Sequence, residues 1–294
     1  MAQDLAAAYP EARATFEQAD AILGLALTQL CFAGPENVLT DTINAQPALL
    51  THSIAALRVL QSLQRDETPS FVAGHSLGEY SALVAADAMD FADALRLVRE
   101  RGRVMKDAGE KTPGAMAAVI GMDDAALEAV CAEAGAEIAN YNSPGQIVIS
   151  GSQDALARAT ALAKERGARR VLPLAVSIAA HSRLMEPAAR AFERAVAQTP
   201  MRAPKVPVIS NVTARPLNGV DEIRHELVAQ LTSSVQWVKS IEYIVAQGTT
   251  HFVELGPKDV LAGLIRRIDK DARAVSIGDV ASVKAFVESK SHGA

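Results

Sequence analysis

The chain has 294 residues, of which 49% are hydrophobic and 21% charged, with a formal net charge of −5. That length supports a large core with room for a second, small domain, and the balance is that of a soluble globular protein. No basic run of five or more occurs, which argues against nucleic acid as the main partner. No apolar run reaches membrane-spanning length and no signal-peptide pattern opens the sequence, so neither a membrane nor secretion is expected. Cys31 and Cys131 lie far apart and outside any metal-ligand spacing. Both read as small core residues in a reducing cytoplasm.

In chain order, Met1 to about Leu23 is helical in pattern, with Phe16, Ala19 and Leu23 on one face and Pro10 at a break or a new first turn. Leu25 to Thr40 is mixed, with a turn at Gly34-Pro35. Gln46-Pro47-Ala48 opens a helix reaching about Leu63, where a first-turn proline costs no hydrogen bond. Leu49, Leu50, Ile54, Leu57 and Leu60 form its apolar face, and His52 is expected at the surface or partly buried. Arg65 to Pro69 reads as a polar loop.

Next comes the stretch on which the reading turns. Phe71-Val72-Ala73 suits a short buried strand, Gly74-His75-Ser76-Leu77-Gly78 is a G-x-S-x-G sequence, and Glu79 to Ala86 favours helix. A serine on so tight a strand-to-helix turn presents its hydroxyl at the carboxyl edge of a sheet, and flanking glycines remove Cβ atoms that would clash. At the helix N-terminus the Leu77 N–H is free to stabilise an oxyanion.

Asp90 is a good N-cap for a helix from Phe91 to about Lys106. At 100° per residue, Phe91, Leu95, Val98, Gly102 and Met105 make an apolar stripe, and Arg96, Arg99 and Arg103 fall away from it into solvent. Arg101 falls at the stripe's edge. A guanidinium directed inward needs an anionic partner, either a protein carboxylate or a ligand. Lys106 to Pro113 reads as a linker. Ala115–Gly121, Asp124–Ala134, Glu137–Asn142, Gln146–Ser150, Gln153–Arg166 and Arg170–Val176 then give the order βαββαβ. This predicts an inserted ferredoxin-like domain at 113–175, within a discontinuous α/β domain of 1–112 and 176–294. Ser182 is a candidate cap for a helix from Arg183 to about Gln198. From Val206 to Ser289, strands and helices alternate, which predicts a parallel sheet flanked by helices, α/β-hydrolase-like, with ligands at its carboxyl edge.

A nucleophilic serine needs a base, and imidazole is the usual one. Of six histidines, His75 adjoins the serine, His225 lies in a helix pattern, His292 in a polar tail and His52 in the helix above. His181 and His251 remain. In an ordinary serine hydrolase the base follows an acid late in the chain, and Asp221, Glu254 or Asp259 would serve His251.

The longer string Gly74-His75-Ser76-Leu77-Gly78-Glu79-Tyr80 resembles the nucleophile turn of malonyl-CoA:acyl carrier protein transacylases and of the acyltransferase domains of fatty acid and polyketide synthases. The resemblance spans nearly the whole chain. It implies Ser76 as nucleophile, His181 as base, Leu77 as oxyanion donor, Arg101 on the malonyl carboxylate and Gln230 against the histidine, with no acid in the relay. Asn142 and Gln146 match positions near the acyl pocket, and Asn211 matches a position without an assigned role. The small pair Ala179-Ala180 falls where members of differing acyl choice vary. Malonyl-CoA and acyl carrier protein are the implied partners, with no metal or cofactor and a monomer expected; an acidic carrier would need a local basic patch on so acidic a chain. The family opens with a strand and a Gly-Gln-Gly loop that nothing here matches, so one central strand and one side of the oxyanion site are expected to be lacking. The rivals are a serine thioesterase or esterase, and a weakened relative acting as a binding protein.

Overall fold

The computed structural model describes residues 1–63, 68–176 and 178–291. Most of the expected polar loop, from Arg65 to Glu67, lies outside the described residues. The chain opens with α1 (Gln3–Ala8), α2 (Pro10–Leu23), α3 (Leu27–Ala33), α4 (Glu36–Leu39) and α5 (Thr42–Leu63). Pro10 stands at the first position of α2, where no intrahelical N–H is required.

Helix α5 begins four residues before the expected start, because Asp41 caps it: the Asn44 and Ala45 N–H groups donate to its carbonyl and the Ile43 N–H to its side chain. Pro47 is therefore inside the helix and leaves the Ile43 carbonyl without its usual donor. Arg99 fills that place, donating to the Ile43 carbonyl at 2.6 Å. Arg99, expected in solvent, is thus half-buried against the start of α5. His52 corrects in the same direction. It is buried, with Nε2 2.7 Å from the Gly278 carbonyl.

Strand β1 (Val72–Ala73), α6 (Gly78–Ala85) and α7 (Phe91–Lys111) follow. The stretch expected as a linker after Lys106 is the last turn of α7. Next come β2 (Gly114–Ile120), α8 (Asp124–Ala134), β3 (Glu137–Ser143), β4 (Gln146–Ser152), α9 (Gln153–Glu165) and β5 (Arg170–Pro173). These four strands form one antiparallel sheet in the order β3-β4-β2-β5. Alternation sends Ala117, Val119, Ile147 and Ile149 into an apolar core with Leu127 and Val130 of α8 and Leu156 and Ala159 of α9.

A 3₁₀ turn at Arg183–Met185 precedes α10 (Glu186–Gln198); the Ser182 hydroxyl donates to the Ala179 carbonyl and makes no cap bond. The rest is β6 (Val208–Ile209), α11 (Val220–Ala229), α12 (Trp237–Ala246), β7 (His251–Leu255), α13 (Val260–Ile268), β8 (Arg273–Ile277) and α14 (Val280–Ser291). The pairings β1–β6 and β7–β8 are parallel, as expected. Among the described residues they are two separate pairs rather than one sheet. Both β1 and β6 are two residues long, and what joins the pairs is side-chain packing of Ala73 and Ile209 with Phe252 and Ala274. The fold is mixed α/β, and among the described residues no helix is long and apolar enough to cross a membrane.

Candidate active site

The turn after β1 places Ser76. A Cβ on Gly74 would lie 2.0 Å from the Gly78 carbonyl carbon, so only glycine fits there. Gly78 has open space instead, and its glycine is not demanded by sterics. Ser76 sits in the left-handed region at φ 52°, as does His181 at φ 59°. Each such residue costs about 1–3 kcal/mol and persists only where neighbours hold it. Ser76 is held by its N–H, which donates to Asn211 Oδ1 at 2.6 Å. His181 is held by its N–H on the Leu231 carbonyl at 3.1 Å.

Ser76 Oγ lies 2.8 Å from His181 Nε2, and His181 Nδ1 lies 2.8 Å from the Gln230 main-chain carbonyl. A carbonyl only accepts, so Nδ1 carries the proton and the bare Nε2 faces the serine hydroxyl. Burial, followed by the Arg101 cation, lowers the His181 pKa to about 3. The imidazole is neutral at pH 7, as a base must be before it acts. Among the described residues no acceptor pairs with the Leu77 N–H, which stands at the mouth of α6 beside the serine.

Arg101 reaches the same point from α7. A Cβ on the next residue, Gly102, would come within 2.8 Å of the Ile43 Cα, so this glycine lets α7 press against α5 and carries Arg101 inward. Arg101 is 2% exposed. Nη1 donates to Gln46 Oε1 at 2.8 Å, and Nη2 to Gln230 Oε1 at 2.9 Å and to Ser76 Oγ at 3.2 Å. The Tyr80 ring lies 5.7 Å from the guanidinium carbon. Nε has no partner among the described residues, and no carboxylate there forms an ion pair with this arginine. Of the two readings the sequence left open, a protein carboxylate is not what Arg101 meets. A buried cation with neutral partners is able to take an anion.

Behind the serine lies a network the sequence reading did not find. Glu79, fully buried, accepts from the Asn211 N–H at 2.8 Å and Asn211 Nδ2 at 3.1 Å with one oxygen, and from Gln230 Nε2 with the other. Asn211 Nδ2 also donates to the Gly74 carbonyl at 2.7 Å, and Gln230 Nε2 to the Ser76 carbonyl at 3.1 Å. Gln46 was missed as well. For Glu79 the available signal was a charged residue opening an otherwise apolar helical stretch; Gln46, among Thr42 and Asn44, carried none.

The other candidates part company. Asn142 Oδ1 accepts from His75 Nε2 at 2.8 Å, which ties β3 to the serine turn through the neighbouring residue. Gln146 is elsewhere: its Oε1 accepts from Arg267 of α13, and no hydrogen bond links it to Ser76, His181 or Arg101. His251 is exposed with Nδ1 3.0 Å from Thr250 Oγ1, and Glu254 is engaged by the N–H groups of Leu261 and Ala262. The rival late-chain relay through His251 is not assembled. An open cleft of about 320 Å³ runs from His181 along Ile138 and Tyr141 to Thr232 and Ser234. Its two walls are stitched by main-chain bonds between β3 and Val235. The arrangement can take a proton from a serine, hold an oxyanion and bind a carboxylate beside it.

The family model described as acyl transferase domain matches residues 1–285. The chain is 46% identical to the malonyl CoA-acyl carrier protein transacylase of Escherichia coli K12, over 98% of this chain and 94% of that one. The Bacillus subtilis transacylase is 42% identical over 98% and 92%. Among solved structures, an acyl carrier protein S-malonyltransferase from Vibrio cholerae superposes with a TM-score of 0.94 at 44% identity, covering 97% of this chain and 94% of that one. A malonyl transacylase in complex with its type II polyketide synthase acyl carrier protein superposes at 0.95, 41% identical over 98% and 94%.

Proposed function

We infer that this chain, which belongs to the acyl transferase domain family, transfers the malonyl group of malonyl-CoA to the phosphopantetheine thiol of acyl carrier protein through a malonyl-serine intermediate. The observation that carries this reading is the buried, carboxylate-free Arg101 donating to the hydroxyl of a histidine-paired serine. Ser76 Oγ attacks the thioester carbonyl as its proton passes to His181 Nε2. The Leu77 N–H holds the developing oxyanion, and Arg101 binds the malonyl carboxylate through two parallel hydrogen bonds. The carbon–sulfur bond then breaks, and the coenzyme A sulfur leaves with the proton from His181. The carrier thiol next gives its proton to His181 and attacks the malonyl ester, and Ser76 recovers its proton as it leaves. Gln230 fixes the imidazole tautomer through its carbonyl, and Asn142 acts through His75. Gln146 is supported only by its match to the family pattern.

The unit from β2 to β5 is read as ferredoxin-like on its βαββαβ order, its strand order and its own apolar core; this favours domains of 113–175 and of 1–112 with 176–294. The strand–turn–helix around Ser76 favours an α/β-hydrolase-like centre in the larger one. The protein is read as a cytoplasmic monomer, with buried free thiols at Cys31 and Cys131 in keeping with a reducing compartment.

Intact-protein mass spectrometry after mixing with malonyl-CoA tests the reading. A malonyl adduct on the wild type, absent from Ser76→Ala and discharged by acyl carrier protein, is expected. Thioester hydrolysis without transfer would favour a thioesterase, and no adduct on a folded protein would favour a binding role.

A further inference from the structure

The two amides bonded to the Ser76 main chain, those of Gln230 and Asn211, both take their orientation from one carboxyl group. Gln230 presents its NH₂ to Glu79 and to the Ser76 carbonyl, which leaves its Oε1 facing Arg101 Nη2 at 2.9 Å. Asn211 presents its NH₂ to Glu79 and the Gly74 carbonyl, which leaves its Oδ1 facing the Ser76 N–H at 2.6 Å. A primary amide has a donor end and an acceptor end, so whatever fixes one end fixes the other. Resting on the malonyl-transfer reading, we propose that Glu79 is a positioning residue for acyl selectivity: by accepting with both oxygens it holds the Gln230 amide with its oxygen toward Arg101, and so aims the guanidinium at the substrate carboxylate.

Glu79 meets the requirement. One oxygen accepts the two Asn211 donors, the other accepts Gln230, and the group is fully buried, so water cannot substitute. Glu226 sits alongside, with its own oxygens engaged by the Ser210 hydroxyl at 2.6 Å and the Val212 N–H at 2.9 Å. Burial and this second carboxyl raise the Glu79 pKa well above the usual range. Both amides are met by its oxygens.

The substitution Glu79→Gln separates this from a merely structural role. Its side-chain oxygen stays with the two Asn211 donors, and its NH₂ then opposes the NH₂ of Gln230. Gln230 must turn over and present a donor to Arg101, which loses an acceptor and swings from its aim. The adduct-formation rate with malonyl-CoA should fall about tenfold to a hundredfold relative to that with acetyl-CoA, the effect of one hydrogen bond to a charged group. The loss should appear mainly in KM. A folded Glu79→Gln protein whose malonyl-to-acetyl ratio equals that of the wild type would overturn the proposal, even if both rates fell together. If circular dichroism shows that this variant does not fold, Glu226→Gln decides. Glu226 bonds to neither Gln230 nor Asn211, so this change leaves both Glu79 oxygens in place and should keep the ratio within about threefold of wild type, less than one ordinary hydrogen bond is worth. Loss of the ratio there would also overturn it. Failure of the transfer reading shows separately, as a wild type that forms no malonyl adduct at all.

Discussion

Two arginines on α7, two residues apart, live under opposite conditions. Arg103 is 48% exposed in its side chain and pairs with Glu100 and Asp107, each at 2.6 Å. Arg101 is 2% exposed, and its hydrogen bonds among the described residues go to the oxygens of Gln46, Gln230 and Ser76. The exposed cation has two carboxylates it hardly needs, since such pairs contribute about 0–1 kcal/mol. The buried one has none among the described residues, although an uncompensated buried charge is among the costliest features a fold can carry. A protein selected for stability alone would place its carboxylates the other way round. The difference supports the proposed role, in which the substrate brings the counter-charge that Arg101 lacks among the described residues.

The largest expected effect is at Arg101 itself. Arg101→Met would remove both proposed hydrogen bonds to the malonyl carboxylate and should lower kcat/KM for malonyl-CoA by roughly a hundredfold to a thousandfold in steady-state assays. The same change exchanges a buried unpaired cation for an apolar chain and should raise the melting temperature. A variant that lost both activity and stability would break the contrast.

A second effect is on pH dependence. The folded pKa of His181 is about 3, below the ordinary histidine value near 6.5. Between these values the unfolded chain binds a proton that the folded protein does not, so stability rises with pH from about 3 to 6.5 and is lost on acidification. Acylation by malonyl-CoA should likewise show no inflection near pH 6.5 in the free enzyme. In Arg101→Met, with one cause of the depression removed, the His181 pKa and the acid limb should move upward. A pH–rate profile of both proteins checks this.

Smaller effects sharpen the outer side of the comparison. Arg103→Ala should leave the acylation rate unchanged and alter stability in urea titration by less than about 1 kcal/mol. His251→Ala should be milder still, changing activity by no more than about twofold, since the residue is exposed and outside the relay.

These contrasts were only partly legible in the sequence. The serine turn was readable because its requirements are local. Strand, tight bend and helix N-terminus fall within a few residues, and Gly74 is where the bend leaves no room. Arg101 was readable as an inward arginine from helical periodicity, while its lack of a carboxylate was not, because Gln46 lies 55 positions away and Gln230 lies 129. Glu79 was hidden for the same reason, with its partner Gln230 at a separation of 151. Arg99 and the start of α5 were misread together: Pro47 looked like a first-turn proline, and the arginine that meets the carbonyl it frees looked solvated. Gln146 was carried by resemblance alone, and its side chain is on Arg267.

The most direct test of the central claim compares adduct formation from malonyl-CoA and acetyl-CoA by rapid-quench intact-protein mass spectrometry, in the wild type and in Arg101→Met. The account predicts a strong malonyl preference in the wild type that collapses in the variant, with its acetyl adduct retained. An unchanged malonyl preference in Arg101→Met would contradict the claim that the uncompensated arginine reads the substrate's charge.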